Sequence, residues 1–151
     1  MADNSFMAQA LAEAEKAVER GEVPVGAVLV DGISGEVLAR AHNLVEDGHD
    51  PTAHAEMLVI RESAAKLANE RLVGTSLYVT LEPCAMCVGA IAMARIGRLV
   101  FAAEDPKGGA VLHGPEFFAQ KTCHHRPDIA RAGDAEAAGE LLRAFFRARR
   151  V

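Results

Sequence analysis

Phe6, Ala10, Leu11, Ala14, Ala17 and Val18 recur at helical spacing, which predicts an amphipathic helix capped by Asn4 or Ser5 and running to about Arg20, with Gly21 as its stop. The pattern changes after Pro24. The apolar run Val25-Gly26-Ala27-Val28-Leu29-Val30 reads as a buried strand, Asp31-Gly32 as a turn, and residues 36–41 as the antiparallel partner. A polar loop follows over residues 43–52. Helical spacing resumes at Met57, Ile60, Ala64 and Leu67, predicting a helix from near Ala53, capped by Thr52, to Leu67 or Asn69. Residues 76–81 form the next expected strand. Pro83 suits the first position of a helix because its missing N–H would be unpaired there, so a helix is expected over residues 83–95. Helices alternating with strands imply an α/β fold.

Composition adds limits to this picture. A chain of 151 residues that is 50% hydrophobic can bury a core as one domain, and no linker or repeat divides residues 1–151. No apolar run approaches the ~18 residues of a membrane span. The net charge of -5 argues against a nucleic-acid partner until its distribution is considered. Residues 1–60 hold 11 acidic and 3 basic side chains, whereas residues 91–151 hold 7 and 10. The positive charge is densest at Arg143, Arg147, Arg149 and Arg150, where it also suits the end of a helix and fits either a nucleic-acid contact or a solvated face. Three cysteines, an odd number, make no disulfide framework; with no signal peptide in view, a reduced cytoplasmic protein is expected.

The chemistry is concentrated in His54-Ala55-Glu56 and Pro83-Cys84-Ala85-Met86-Cys87. One imidazole and two thiolates make a three-ligand zinc set that leaves a fourth position for water. Cys84 and Cys87, three apart, share a helical face, and the positive end of the helix dipole favours their thiolates. Glu56 points about 200° away from His54 around a helix, so it is expected to move protons at the metal-bound water rather than to bind the metal. A structural zinc would need a fourth ligand. Only Cys123 remains, beside His124 and His125, in a segment read as a surface loop.

His-Ala-Glu followed by Pro-Cys-x-x-Cys resembles the signature of zinc-dependent cytidine and nucleobase deaminases. Residues 22–30, 49–56, 77–84, 105–110 and 145–150 are more specifically similar to bacterial tRNA-specific adenosine deaminases, and the likeness runs from the first helix to the last. The resemblance implies a three-layer α/β/α cytidine deaminase-like fold with a central mixed sheet of about five strands, one Zn2+ per subunit, and a homodimer whose two subunits share an RNA surface. It implies hydrolytic conversion of the wobble adenosine of a tRNA anticodon, chiefly an arginine tRNA, to inosine with release of ammonia. By position, His54, Cys84 and Cys87 would hold the zinc and Glu56 would carry protons. Asn43 and the backbone of Ala55 would hold the base, and Val23 and Pro24 would line its pocket. Asp105, Lys107, Phe145, Phe146, Arg147, Arg149 and Arg150 would face the anticodon loop. The triplet His42-Asn43-Leu44 departs from the family, which usually has an aromatic or Gly before this Asn and an Arg after it, and so lacks one RNA-facing cation.

Two other readings stay open on the sequence. A deaminase of a free base or nucleoside, such as guanine or cytosine, would share the zinc motif. A non-catalytic RNA-binding protein with structural zinc would have to explain Glu56 and the open coordination position.

Overall fold

Alternating side chains along the strands decide which face each helix covers. In the computed structural model, which describes residues 2–149, the elements in chain order are α1 (Ala2–Glu19), β1 (Gly26–Asp31), β2 (Val37–His42), α2 (Ala55–Leu67), β3 (Thr75–Leu81), α3 (Ala85–Met93), β4 (Arg98–Ala103), a 3-10 turn (Phe117–Ala119), β5 (Asp128–Arg131) and α4 (Ala135–Arg149). Ala27, Leu29, Leu77, Val79, Leu99 and Phe101 pack with Val59 of α2 and with Val88 and Ile91 of α3. Their neighbours Val28, Val30, Tyr78, Val100 and Ala102 pack with Met7 and Ala10 of α1 and Ala138 of α4. A two-residue period therefore yields three layers, helices on both faces of one sheet, as the fold expectation has it. Leu29, Leu77, Leu99 and Phe101 are fully buried; each contributes about 1.5–3 kcal/mol through area removed from water.

The sheet order is β2-β1-β3-β4-β5. β1 is antiparallel to β2 and β3, while β3, β4 and β5 run parallel, so β2 through β5 share a direction that β1 alone opposes. Register keeps the faces in phase: Leu29 lies opposite Leu77, and Leu77 opposite Leu99. The carboxyl ends of β2, β3 and β4 and the start of β1 consequently meet at one edge of the sheet. That edge is where an open α/β sheet offers a crevice.

Several boundaries differ from the sequence expectation. Asn4 does not cap α1; its Oδ1 accepts the Gly133 N–H. Gly21 ends α1 at a φ of 74°, with the Glu22 N–H reaching back to the Ala17 carbonyl. Thr52 does not cap α2: the helix begins at Ala55 with His54 in the cap position, extended, and the Thr52 hydroxyl donates to Asp50 while its oxygen accepts from Arg61. Pro83 likewise stays outside α3, whose cap is Cys84. Gly26 lies where α1 crosses β1, and a Cβ there would sit 1.9 Å from the Ala10 carbonyl oxygen.

Candidate metal centre and active-site cleft

The displaced helix starts bring two of the three metal-ligating side chains to helix cap positions. His54 precedes α2 and Cys84 precedes α3, and Cys87 lies one turn into α3. The Nδ1 of His54 is 3.6 Å from the Sγ of Cys84 and 3.6 Å from the Sγ of Cys87. Tetrahedral zinc with ordinary Zn–S and Zn–N bonds separates nitrogen from sulfur by about 3.6 Å, so the donor set fits the ion in chemistry and in spacing. Among the described residues these three form the one His/Cys/Asp/Glu cluster close enough to hold a metal.

Electrostatics agree with the donor set. A hydrogen bond from Cys87 pulls the Cys84 thiol down to about 4, against its burial, with His54 assisting. The same bond, together with burial, pushes Cys87 far up. His54 is raised by its bond to Cys84. A dication bound between the sulfurs removes the repulsion that keeps the second one protonated.

Glu56 sits in the first turn of α2, 4% exposed, and its Oε1 has no hydrogen-bond partner. Burial pushes its carboxyl up to about 7, and negative charge at Cys84 adds to the rise. A buried carboxyl that can gain and lose a proton near neutrality is suited to general acid–base work. It faces a cavity of about 340 Å³ that also takes in His54, Cys84, Asn43, Val23 and Val25.

Asn43 follows β2 directly and is buried; its Oδ1 accepts the Ala55 N–H at 2.8 Å, supplying the first turn of α2 with the cap that His54 does not give. Ala55 is fully buried behind it. Val23 lines the cavity, but Pro24 is buried beside it and Val25 forms that wall instead.

A second cavity, about 530 Å³, lies between α4 and the chain after β4 and shares Leu81 and Asp105 with the first. Lys107, Phe146, Arg143 and Arg147 line it. Phe145 does not join them: it is buried, edge-on to Phe146, with the Arg149 guanidinium 3.9 Å from its ring centre. Arg149 also donates to the Gly21 carbonyl, so it braces α4 against the end of α1. Arg147 pairs with Glu140, and Arg143 with Glu136 and Glu140, which lowers the net charge of this face. Arg150 lies outside the described residues. Cys123 stands apart from the metal cluster, its thiol donating to the His125 carbonyl, so it does not close the site as a fourth ligand.

Sequence reasoning missed Glu22 and Glu82. Both are buried carboxylates at the cleft: Glu22 accepts the N–H groups of Glu46 and Asp47, and Glu82 those of Asp105, Val111, Leu112 and His113. The available signal was an acidic residue inside an otherwise apolar strand-end segment, where a carboxylate needs several donors.

Three comparisons bear on what such a site belongs to. The family described as cytidine and deoxycytidylate deaminase zinc-binding region matches residues 1–103. The chain is 53% identical to the tRNA-specific adenosine deaminase of Agrobacterium fabrum over 97% of its own length and 95% of that protein's. It is 48% identical to the tRNA-specific adenosine deaminase of Bacillus subtilis, over 96% and 89% of the two lengths. A solved structure from a study of A-to-I editing by tRNA:A34 deaminases at the wobble position superposes with a TM-score of 0.86 at 52% identity, covering 91% of this chain and 99% of that one.

Proposed function

Because the chain belongs to the tRNA-specific adenosine deaminases of the zinc-binding cytidine and deoxycytidylate deaminase family, it is a hydrolase that converts the wobble adenosine of a tRNA anticodon to inosine, and we propose the following roles for its residues. The observation that carries the reading is a buried, unpartnered Glu56 facing the same cleft as the His54, Cys84 and Cys87 donors. His54, Cys84 and Cys87 hold the zinc. When bound, the ion supplies a Lewis acid that makes water a nucleophile near neutral pH.

Glu56 takes one proton from the attacking water and gives it to a ring nitrogen of the adenine, where it stays, then takes the second from the new C6 hydroxyl and gives it to the departing amine, so that water and adenosine give inosine and ammonia. Asn43, its Oδ1 engaged by Ala55, offers its amide N–H to the base, and the position of the Ala55 backbone is fixed by the same bond. Val23 and Val25 close the pocket on its apolar side and exclude water from it. Asp105, Lys107, Phe146 and Arg147 lie against the flanking nucleotides, a reading supported by the cavity they share next to the metal cleft. Phe145 and Arg149 act there by holding α4 in place. An arginine tRNA is the chief substrate.

The whole chain works as one domain, in the cytoplasm, as a homodimer. Support for pairing comes from exposed apolar side chains, among them Met93 at the end of α3; support for a reducing compartment comes from three free thiols. No helix among the described residues is long and apolar enough to cross a membrane. The test offers the zinc-loaded protein an arginine anticodon stem-loop, free adenosine, guanine and cytosine side by side. Inosine in the stem-loop alone is expected; turnover of a free base without stem-loop product overturns the reading.

A further inference from the structure

Glu82 leaves β3 two residues before the metal ligand Cys84, and its side chain is fully buried. Burying a carboxylate is costly unless its oxygens are fully engaged. Here Oε1 accepts the Asp105 N–H at 3.0 Å and faces His113 Nδ1 at 2.8 Å. Oε2 accepts the N–H groups of Val111, Leu112 and His113 at 3.1, 2.8 and 3.2 Å. Five nitrogen donors converge on about four acceptor sites, so the segment from Asp105 to His113 is folded around one anionic centre.

The segment is wrapped tightly. A Cβ on Gly109 would lie 2.4 Å from the Glu82 carboxyl carbon, which places a backbone without a side chain directly against the anion. The Ala110 N–H donates to the Pro83 carbonyl at 2.9 Å, and the Glu82 N–H to the Ala103 carbonyl at 2.8 Å. Asp105 in turn accepts the N–H groups of Lys107 and Gly108, which fixes the turn that presents Lys107. An unbroken set of bonds thus runs from the residues beside Cys84 to the loop that borders both cavities.

We propose that Glu82 is a positioning residue for the tRNA reaction: its carboxylate sets the distance between the metal centre and the Asp105–Lys107 wall against which the nucleotides beside the target adenosine rest. The proposal builds on the tRNA reading above. The Glu82 carboxylate borders the cleft, but its hydrogen bonds go to the segment from Asp105 to His113 and not to the metal donors or Glu56, so its loss chiefly displaces the wall. The effect falls on substrate capture, with a raised KM and a nearly constant kcat.

The test uses zinc-loaded Glu82→Gln enzyme with the arginine anticodon stem-loop. The amide keeps the size but turns two donors toward N–H groups that need acceptors. Expected are one zinc per chain, a KM raised about tenfold or more, a kcat within about threefold of the parent, and faster hydrogen exchange at the amides of residues 105 and 111–113. A KM unchanged within about twofold, or a loss confined to kcat, overturns the proposal. Should that variant fail to fold, Gly109→Ala keeps the carboxylate while driving a methyl into it, and the same rise in KM with retained zinc is expected; an unchanged KM overturns the proposal equally. Hydrogen exchange needs no substrate, so it tests the clamp separately, whereas failure of the parent enzyme to make inosine in the stem-loop would overturn the tRNA reading itself.

Discussion

The side-chain oxygen of Asn43 accepts the backbone N–H of Ala55 across 12 positions of sequence, and this one bond ties the end of β2 to the start of the helix that carries Glu56. Removing it in Asn43→Ala leaves a buried N–H unpaired and is expected to cost about 1–2 kcal/mol of stability, read by thermal or urea unfolding of the zinc-loaded protein. Asn43→Asp keeps the acceptor and is expected to recover most of that stability while losing the amide donor, so inosine formation falls in both variants. Equal stability of parent and Asn43→Ala would remove this role.

Asp3 makes a two-pronged contact with Arg98 at 2.8 and 2.7 Å and accepts the Tyr78 hydroxyl at 2.7 Å, pinning α1 to β3 and β4. The Arg98 guanidinium, followed by Tyr78, lowers the Asp3 carboxyl from 3.8 to about 2. A folded-state pKa below the unfolded one stabilises above pH ~4, and that contribution disappears as pH falls toward 2. The Arg98 and Asp3 side chains are 35% and 36% exposed, and solvent screening holds the effect to about 0.5–1 kcal/mol. Asp3→Asn is expected to melt a few degrees below the parent at pH 7, with the gap closing near pH 2. A gap that persists unchanged at low pH contradicts the assignment.

Ala68 ends α2 in a left-handed conformation, φ 51° and ψ 43°, which costs a residue with a Cβ roughly 1 kcal/mol. Ala68→Gly is expected to raise the melting temperature by about 2–4 °C without changing turnover. A lower melting temperature would show that the extra chain entropy of glycine outweighs the relief.

Chelation of the zinc is expected to open Cys84, which is partly exposed, to alkylation while Cys123 stays protected, since Cys123 is buried and bonded to the His125 carbonyl. Mass spectrometry of the labelled peptides checks this. Cys123→Ser should still bind one zinc, and loss of the ion in that variant would return Cys123 to the ligand set.

The apolar run at residues 25–30, the periodic apolar residues of α2 and the spacing of the three metal ligands were legible because each depends on neighbours in sequence. What was not legible depends on which partner a side chain takes once the chain is folded. Thr52 looked like a cap, but α2 begins at Ala55 and Arg61 donates to the Thr52 oxygen, and Phe145 looked like stacking surface until Arg149 covered its ring. β5 is only four residues long and mostly exposed at the sheet edge, so no buried apolar run marks it. Glu22 and Glu82 read as ordinary acids because their donors are backbone N–H groups more than 20 residues away, which no side-chain pattern records.

The central claim is that Glu56 moves the protons of adenosine deamination in a zinc cleft that reads a tRNA anticodon. It is tested most directly by incubating parent and Glu56→Gln protein, each assayed for bound zinc, with the arginine anticodon stem-loop and measuring inosine at the wobble position. The expected result is one zinc per chain in both, inosine from the parent, and a rate at least ~100-fold lower from Glu56→Gln. Inosine formed by Glu56→Gln at close to the parent rate would contradict the account.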